Sequence, residues 1–579
     1  MVIFKRALSW AILFSFGIVC YGQGIGKKIA IDPYHYTIQK DVDGQDGIVA
    51  CAHPLAAKVG MDILMQGGNA IDAAIATQLA LAVVYPDAGN LGGGGFLVAN
   101  LADGKKIALD FREVAPRHAT EDMYIDKRTG KANVNLSQEG HLASGVPGTV
   151  AGLFASMKYA KLPFKQLIQP AIELARNGFV ITEREANSLN GAREDFIRDN
   201  KTPPVFVKAH GKWKAGDTLV QKDLAHTLEI IKDKGVAGFY EGKTAKRIVN
   251  EMGSNGGIIS YADLKNYKAR FRVPVEFDYK GYHIVTMPLP GSGGVLLQQM
   301  LKMVEHRPLA QYGFQSLKSV QLITEVERRA YADRAEYLGD PDFIKVTVAQ
   351  LVSDSYLRKR MADYDSTIAG VSSRVKPGII KESEQTTHMS IIDKDGNCVS
   401  VTTTLNGQFG SKCMVAGAGF LLNNEMDDFS VQPGVPNLYG AVGGKANAIA
   451  PGKRMLSSMS PTVVLKDGKP FMVVGTPGGT TIITSVFQSI INVIDYGMDA
   501  HDAVNKPKFH HQWLPDQIDI EKGFPAGVSR QLQDMGYKIN ERAPWGRMEI
   551  ILWEKGSSYE AAADGLLGGH GRPIHHLRQ

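Results

Sequence analysis

Glu384-Gln385-Thr386-Thr387-His388-Met389-Ser390-Ile391-Ile392-Asp393 is the stretch on which the reading of this chain turns. Threonine and isoleucine suit a pleated surface, so by propensity alone it is an ordinary strand. An Asp395-Gly396 turn follows, and residues 398–405 form a second apolar run, which makes the pattern a β-hairpin. The length of the loop fixes what faces Thr386. A loop of Asp395-Gly396 alone puts Leu405 opposite it, a loop over residues 393–396 puts Thr403 there, and the bracket centres on Thr404. A hydroxyl at that place can hydrogen-bond the Thr386 side chain across the ladder. If Thr386 became a chain terminus, its α-amine would titrate near roughly pH 8 and could act as general base for its own hydroxyl.

Outward from this hairpin, two more carry the Asp-Gly signature. Residues 95–101 and 107–111 flank Asp103-Gly104, and residues 462–465 and 471–474 flank Asp467-Gly468. Residues 54–66 and 70–84 read as helices separated by Gly67-Gly68-Asn69, which can stop one and cap the next. Residues 480–496 follow Gly478-Gly479 and carry Ile482, Val486, Ile490 and Val493 at helical spacing. The region 148–365 is mostly helical in pattern, with runs at 151–159, 164–177 and 319–337. Hairpins at both ends with helices between predict an α+β layered body with sheets at its centre. Residues 372–384 are polar and aperiodic, and are expected to form an exposed segment leading into Thr386.

The chain has 579 residues, 44% of them hydrophobic, with a formal charge of +6 spread without basic runs. That is a globular protein with a sizeable core and no nucleic-acid footprint. At the N-terminus, Lys5 and Arg6 precede an apolar stretch over residues 7–19, and small residues at Cys20 and Gly22 fit signal-peptidase cleavage after Gly22. The run is short for a membrane anchor, and Gly17-Ile18-Val19 is a poor lead-in for lipoprotein cleavage before Cys20. The mature protein is therefore expected to be exported, periplasmic or secreted. Cys51, Cys398 and Cys413 would remain after cleavage, an odd number without metal-ligand spacing; Cys51 and Cys398 lie in strand-like runs and read as small core residues.

Several motifs have both a plain and a chemical reading. Gly475-Thr476-Pro477-Gly478-Gly479 is a strand-to-helix turn, and its backbone N–H groups could also form an oxyanion hole. Ser457-Ser458 precedes a strand, and Arg112 ends one in Asp110-Phe111-Arg112-Glu113. Asn423-Asn424-Glu425-Met426-Asp427-Asp428-Phe429 is an acidic turn without the spaced oxygens of a calcium loop, so a substrate ammonium is its alternative partner. Gly92-Gly93-Gly94-Gly95 lacks the residues of a phosphate loop, and Gly291-Ser292-Gly293-Gly294 lacks the pattern of a nucleophile elbow. His510 and His511 would point to opposite faces of a strand and read as structural, and the His-rich tail, residues 570–576, reads as a solvated end.

Taken in order, these segments resemble the γ-glutamyltransferase family of N-terminal-nucleophile hydrolases along nearly the whole mature chain. The resemblance rests on Gly67-Gly68-Asn69-Ala70-Ile71-Asp72-Ala73-Ala74, Asn90-Leu91-Gly92-Gly93-Gly94-Gly95-Phe96, Asp110-Phe111-Arg112-Glu113, Thr386-Thr387-His388, Ser457-Ser458-Met459-Ser460-Pro461 and Pro477-Gly478-Gly479. It implies a signal peptide (1–22) and a precursor that cuts its own Gln385–Thr386 bond into pieces 23–385 and 386–579. These would stay together as a heterodimer in a four-layer αββα body. It implies Thr386 as nucleophile supported by Thr404, and Gly478 and Gly479 as oxyanion donors. Arg112, Ser457 and Ser458 would bind the substrate α-carboxylate, and Asn406, Glu425 and Asp428 its α-ammonium. The stretch Pro433-Gly434-Val435-Pro436-Asn437-Leu438-Tyr439-Gly440 resembles a lid gated by Tyr439. The implied substrates are glutathione and other γ-glutamyl compounds, with water, amino acids or peptides as acceptors, and no cofactor or metal. The C-terminal stretch 561–570 departs from the family's usual ending. Two competing readings are an acylase of glutaryl-type amides and an exported binding protein of the same fold that never matures.

Overall fold

The fold is that of a computed structural model, which describes residues 30–375, 386–432, 444–554, 558–563 and 570–573. The expected signal peptide, Gln385 and the Tyr439 stretch lie outside the described residues. Two seven-stranded sheets with antiparallel neighbours dominate the chain. One runs Asp41–Gly44, Ser558–Ala563, Glu549–Glu554, Lys469–Gly475, Thr462–Lys466, Tyr282–Thr286, Val275–Tyr279. The other runs His570–Pro573, Gly47–Cys51, Thr386–Asp393, Cys398–Thr404, Gly94–Asn100, Lys106–Asp110, Arg270–Arg272. Each sheet draws strands from both sides of residue 386, so neither half of the chain could close a sheet without the other.

All three Asp-Gly hairpins form, and Thr386 pairs with Thr404, at the centre of the sequence bracket. Burial on both faces explains why these strands do not alternate apolar and polar. Along Gly47–Cys51, Val49 and Cys51 join one apolar cluster and Ile48 and Ala50 the other. In the central hairpin Met389, Ile391, Val399 and Val401 face the helices Pro54–Met65 and Ala70–Val84. The even-numbered residues Thr386, His388, Ser390, Ser400, Thr402 and Thr404 therefore share the opposite face. That face meets the other sheet: the Ser390 and Ser400 hydroxyls donate to the Glu549 and Val474 carbonyls at 3.0 and 3.2 Å. Behind the other sheet lie Gly293–Val304, Leu317–Tyr337 and Thr481–Ile494, whose apolar sides fill the second cluster.

Local signals set the helix limits. Asn69 caps Ala70–Val84 and exchanges hydrogen bonds with Asp72 in a capping box. The glycine run 92–95 is explained by close approach: a Cβ on Gly93 would lie 2.0 Å from the Thr404 carbonyl oxygen, and one on Gly95 2.3 Å from that of Thr402.

The region 148–365 is mostly helical, as its pattern predicts, but Val275–Tyr279 and Tyr282–Thr286 within it form a hairpin of the first sheet that the pattern did not show. Its turn, Lys280-Gly281, has positive φ at both residues (48° and 83°), as a tight hairpin turn requires. The tail is not wholly a solvated end: His570–Pro573 pairs with Gly47–Cys51 as the edge strand of the second sheet. Nor is the segment after residue 371 uniformly exposed, since Ser372 and Val375 are buried. Cys51, Cys398 and Cys413 are free, buried thiols, and the first two are core residues as expected. Among the described residues no helix is long and apolar enough to cross a membrane.

Candidate functional site

At one end of the seam between the sheets, a small pocket is lined by Arg112, Thr386, Thr404, Asn406, Glu425, Asp428, Ser457, Ser458, Gly479, Met459 and Ile482. Nine of these are candidate site residues of the sequence reading, from segments as much as 300 residues or more apart; Met459 and Ile482, read from sequence only as part of a motif and a helix, are not. A larger cavity of about 860 Å³ lies elsewhere, between the 200–205 loop and the 414–419 loop, and contains none of the candidate residues.

The hydroxyl end of the pocket begins at the central hairpin. Thr386 Oγ1 donates to Thr404 Oγ1 at 3.3 Å, and the Asn406 backbone N–H donates to the same Thr404 oxygen at 2.8 Å. Two residues along, burial pushes the His388 imidazole down to about 3, so it is neutral near pH 7. Its Nδ1 lies 2.9 Å from Thr402 Oγ1 and its Nε2 3.1 Å from Ser390 Oγ. Asn406 sits at φ 73°, a left-handed conformation asparagine tolerates, and its amide donates to the Asn424 carbonyl at 3.0 Å. Gly478 and Gly479 make the turn into Thr481–Ile494 with φ of 135° and 59°. Gly479 lines the pocket wall; Gly478 stands one residue behind it.

The charged end is built around Arg112, which is fully buried. Its guanidinium hydrogen-bonds Glu425 and Asp428 and lies 3.5 Å from Glu113. Burial would lower the pKa of Arg112, but Glu425, Asp428 and Glu113 outweigh it and hold the guanidinium charged. For Glu113 burial wins over the pull of Arg112 and pushes the carboxyl up to about 7. Arginine suits this place because its planar fork serves several carboxylates at once.

The supports of the site include residues that sequence reasoning passed over. Asn423 accepts from the backbone N–H groups of Gly145 and Glu425 at 2.9 and 3.0 Å, and donates to the Gly92 and Gly145 carbonyls at 2.8 and 2.9 Å. It thereby ties the acidic turn to the glycine run. The Gly291-Ser292-Gly293-Gly294 motif holds the serine pair: Ser292 N and Oγ both donate to the Ser457 carbonyl at 2.7 Å. Arg334 donates to Ser292 Oγ at 2.8 Å and to Ser458 Oγ at 3.0 Å. The signal for Asn423 was its place beside the acidic turn; for Arg334, inside a long helix, the sequence carried none. His510 and His511 are structural, as read: His510 Nδ1 lies 2.8 Å from Thr484 Oγ1, and His511 Nε2 3.4 Å from Asp516. No group of three metal-ligating side chains occurs among the described residues.

With this geometry in view, the likeness to known proteins is informative. The γ-glutamyltranspeptidase family model matches residues 56–571. The glutathione hydrolase proenzyme of Escherichia coli (strain K12) is 46% identical over 528 residues, covering 90% of this chain and 91% of its own. The crystal structure of Helicobacter pylori γ-glutamyltranspeptidase is 43% identical with a TM-score of 0.55, covering 61% of this chain and 97% of that one. A cephalosporin acylase from Bacillus halodurans superposes with a TM-score of 0.81 at 26% identity, over 95% of this chain and 100% of that one. The chain belongs to the γ-glutamyltranspeptidase family.

Proposed function

We propose that the chain is the precursor of a glutathione hydrolase and γ-glutamyltransferase that cuts itself between Gln385 and Thr386 and then uses Thr386 as its nucleophile. The observation that carries this reading is the Thr386–Thr404 hydroxyl contact of 3.3 Å in a pocket whose far end holds Arg112, Glu425 and Asp428. In the self-cleavage, Thr386 Oγ attacks the Gln385 carbonyl carbon. The C–N bond breaks as the nitrogen takes a proton, leaving the Gln385 acyl group as an ester on Thr386 Oγ. Water then hydrolyses the ester to a Gln385 carboxylate, a restored hydroxyl and a free Thr386 amine.

In the mature enzyme that amine accepts the hydroxyl proton while Oγ attacks the γ-carbonyl of glutathione. The N–H groups of Gly478 and Gly479 stabilise the oxyanion, and the leaving amine departs with the proton. The γ-glutamyl ester on Thr386 passes to water or to the amine of an amino acid or peptide. Thr404 holds the nucleophile's hydroxyl in line. Arg112, Ser457 and Ser458 bind the α-carboxylate, and Asn406, Glu425 and Asp428 the α-ammonium. Arg112 and the two carboxylates pair directly with one another, so a glutamyl head lets each protein charge exchange one partner for another of the same sign. A glutaryl head brings no ammonium and would strand Glu425 and Asp428, which favours γ-glutamyl substrates over those of the related acylases.

In this reading the precursor is exported by residues 1–22, pieces 23–385 and 386–579 remain as a heterodimer, and Tyr439 gates a lid. Their interleaving through both sheets supports the heterodimer. Helices against the outer side of each sheet support the four-layer αββα body of the N-terminal-nucleophile hydrolases. N-terminal sequencing of the purified protein should find a fragment beginning at Thr386, and that material should cleave γ-glutamyl-p-nitroanilide but not its glutaryl analogue. A fragment starting elsewhere, a single uncut band, or the reverse substrate preference overturns the reading.

A further inference from the structure

Eleven residues before Thr386, the chain is held by a cluster that the reaction does not use. Ser372 and Val375 are buried, at 0% and 6% exposure. The indole N–H of Trp513 donates to the carbonyls of both, at 2.9 and 2.7 Å. The Ser372 backbone N–H donates to Asp516 at 2.8 Å, and fully buried Arg328 hydrogen-bonds both the Ser372 hydroxyl and Asp516. Glu325 accepts from Arg328 at 3.2 Å, from the Gly370 N–H at 3.2 Å and from the Tyr537 hydroxyl at 2.8 Å. Arg374, between the two anchors, is exposed.

We infer that Trp513, Asp516 and Arg328 form a clamp that fixes residues 370–375 as the rigid upstream post of the self-cleavage, and afterwards keeps the end of the larger piece docked on the smaller one. The inference rests on the self-cleavage reading above. The clamp crosses the cut: Arg328 and Glu325 precede residue 386, whereas Trp513, Asp516 and Tyr537 follow it. Thr386 is itself fixed by strand pairing, so the scissile bond lies on a tether closed at both ends. With the clamp lost, the nearest upstream hold is Gly370, whose N–H donates to Glu325 at 3.2 Å. Thr386 Oγ and the Gln385 carbonyl carbon are neighbours along the chain, so the clamp acts on the orientation in which that carbonyl is presented to the hydroxyl and not on their encounter. Loss of that fixed orientation slows the attack. These are positioning residues and touch no reacting atom.

The test uses the full-length chain with Trp513→Phe, which keeps the ring and removes the donor, and Ser372→Ala, which removes the hydroxyl contact with little change in volume. Freshly made precursor is followed on gels for the fragment starting at Thr386, and the matured fraction is assayed separately. Slowing of at least about twofold in both variants, from the loss of fixed orientation, with kcat of the matured enzyme unchanged, supports the clamp. Maturation at the wild-type rate, or an equal fall in kcat, overturns it. Limited trypsin digestion reads the clamp independently of self-cleavage: the Arg374–Val375 bond should resist in wild type and open in Trp513→Phe, and equal resistance overturns the inference. Absence of any Thr386 fragment from the wild type would instead defeat the self-cleavage reading.

Discussion

The two ends of the pocket are both buried, yet built from opposite materials. At one end, all the groups are neutral: Thr386 bonds Thr404, and beneath them His388 bonds Thr402 and Ser390. At the other, Arg112 stands among three carboxylates with little solvent. In the proposed mechanism hydroxyls need no strong counter-charge, so little must reorganise around Thr386 during attack. Charges are expensive to bury alone, so at the other end they pair with one another, and under the proposed function a ligand of matching charges would replace those pairs. The proposed function thereby places chemistry and recognition at opposite ends of a single small cavity.

The strongest way to break this comparison is to remove the Thr386 hydroxyl. Thr386→Ala should leave the precursor uncut, and residual γ-glutamyl-p-nitroanilide turnover should fall by at least about four orders of magnitude. Full activity would place the chemistry elsewhere. At the charged end, Asp428→Asn keeps the volume and removes one charge. KM for the γ-glutamyl substrate should rise about a hundredfold while kcat changes little, as expected when a charge-assisted contact is lost equally from ground and transition states. A large fall in kcat with KM unchanged would show that the charged end takes part in the chemistry.

Sequence revealed the hydroxyl end more readily than the charged one. Hairpin arithmetic brackets Thr404 because strand pairing has a period of two and the loop allows only a few registers. Arg112 and Asp428 are separated by 316 residues, and no local pattern states that they meet; only their order within a family pattern does. The sheets follow the same divide. The Asp-Gly hairpins were legible, whereas the Lys280-Gly281 hairpin was hidden in a helical neighbourhood, although Val275-Glu276-Phe277-Asp278-Tyr279 alternates as an edge strand should. His570–Pro573 could not be read, because its pairing with Gly47–Cys51 depends on contacts across nearly the whole chain. Arg334 and Asn423 act through two or more partners each, and such cross-links leave no spacing signature.

Smaller effects sharpen the picture of the neutral end. Thr404→Val should cost about tenfold in kcat with KM nearly unchanged, the worth of one hydroxyl contact held in the transition state. Thr404→Ser should restore most of it; failure of that rescue would point to packing instead. Beneath this contact, His388 tests neutrality directly. Burial lowers its folded pKa to about 3 from an ordinary value near 6.5, so the unfolded chain binds a proton that the folded chain refuses. Its contribution is therefore fully present above about pH 6.5 and is lost as pH falls toward 3, at about 1.4 kcal/mol per pH unit. Other groups titrate in that window, so the informative quantity is a difference. Tm measured from pH 7 to pH 4.5 should fall less steeply in His388→Gln than in wild type. Parallel curves would mean that His388 takes up its proton in the fold, and that the reacting end of the pocket tolerates a charge beneath it after all.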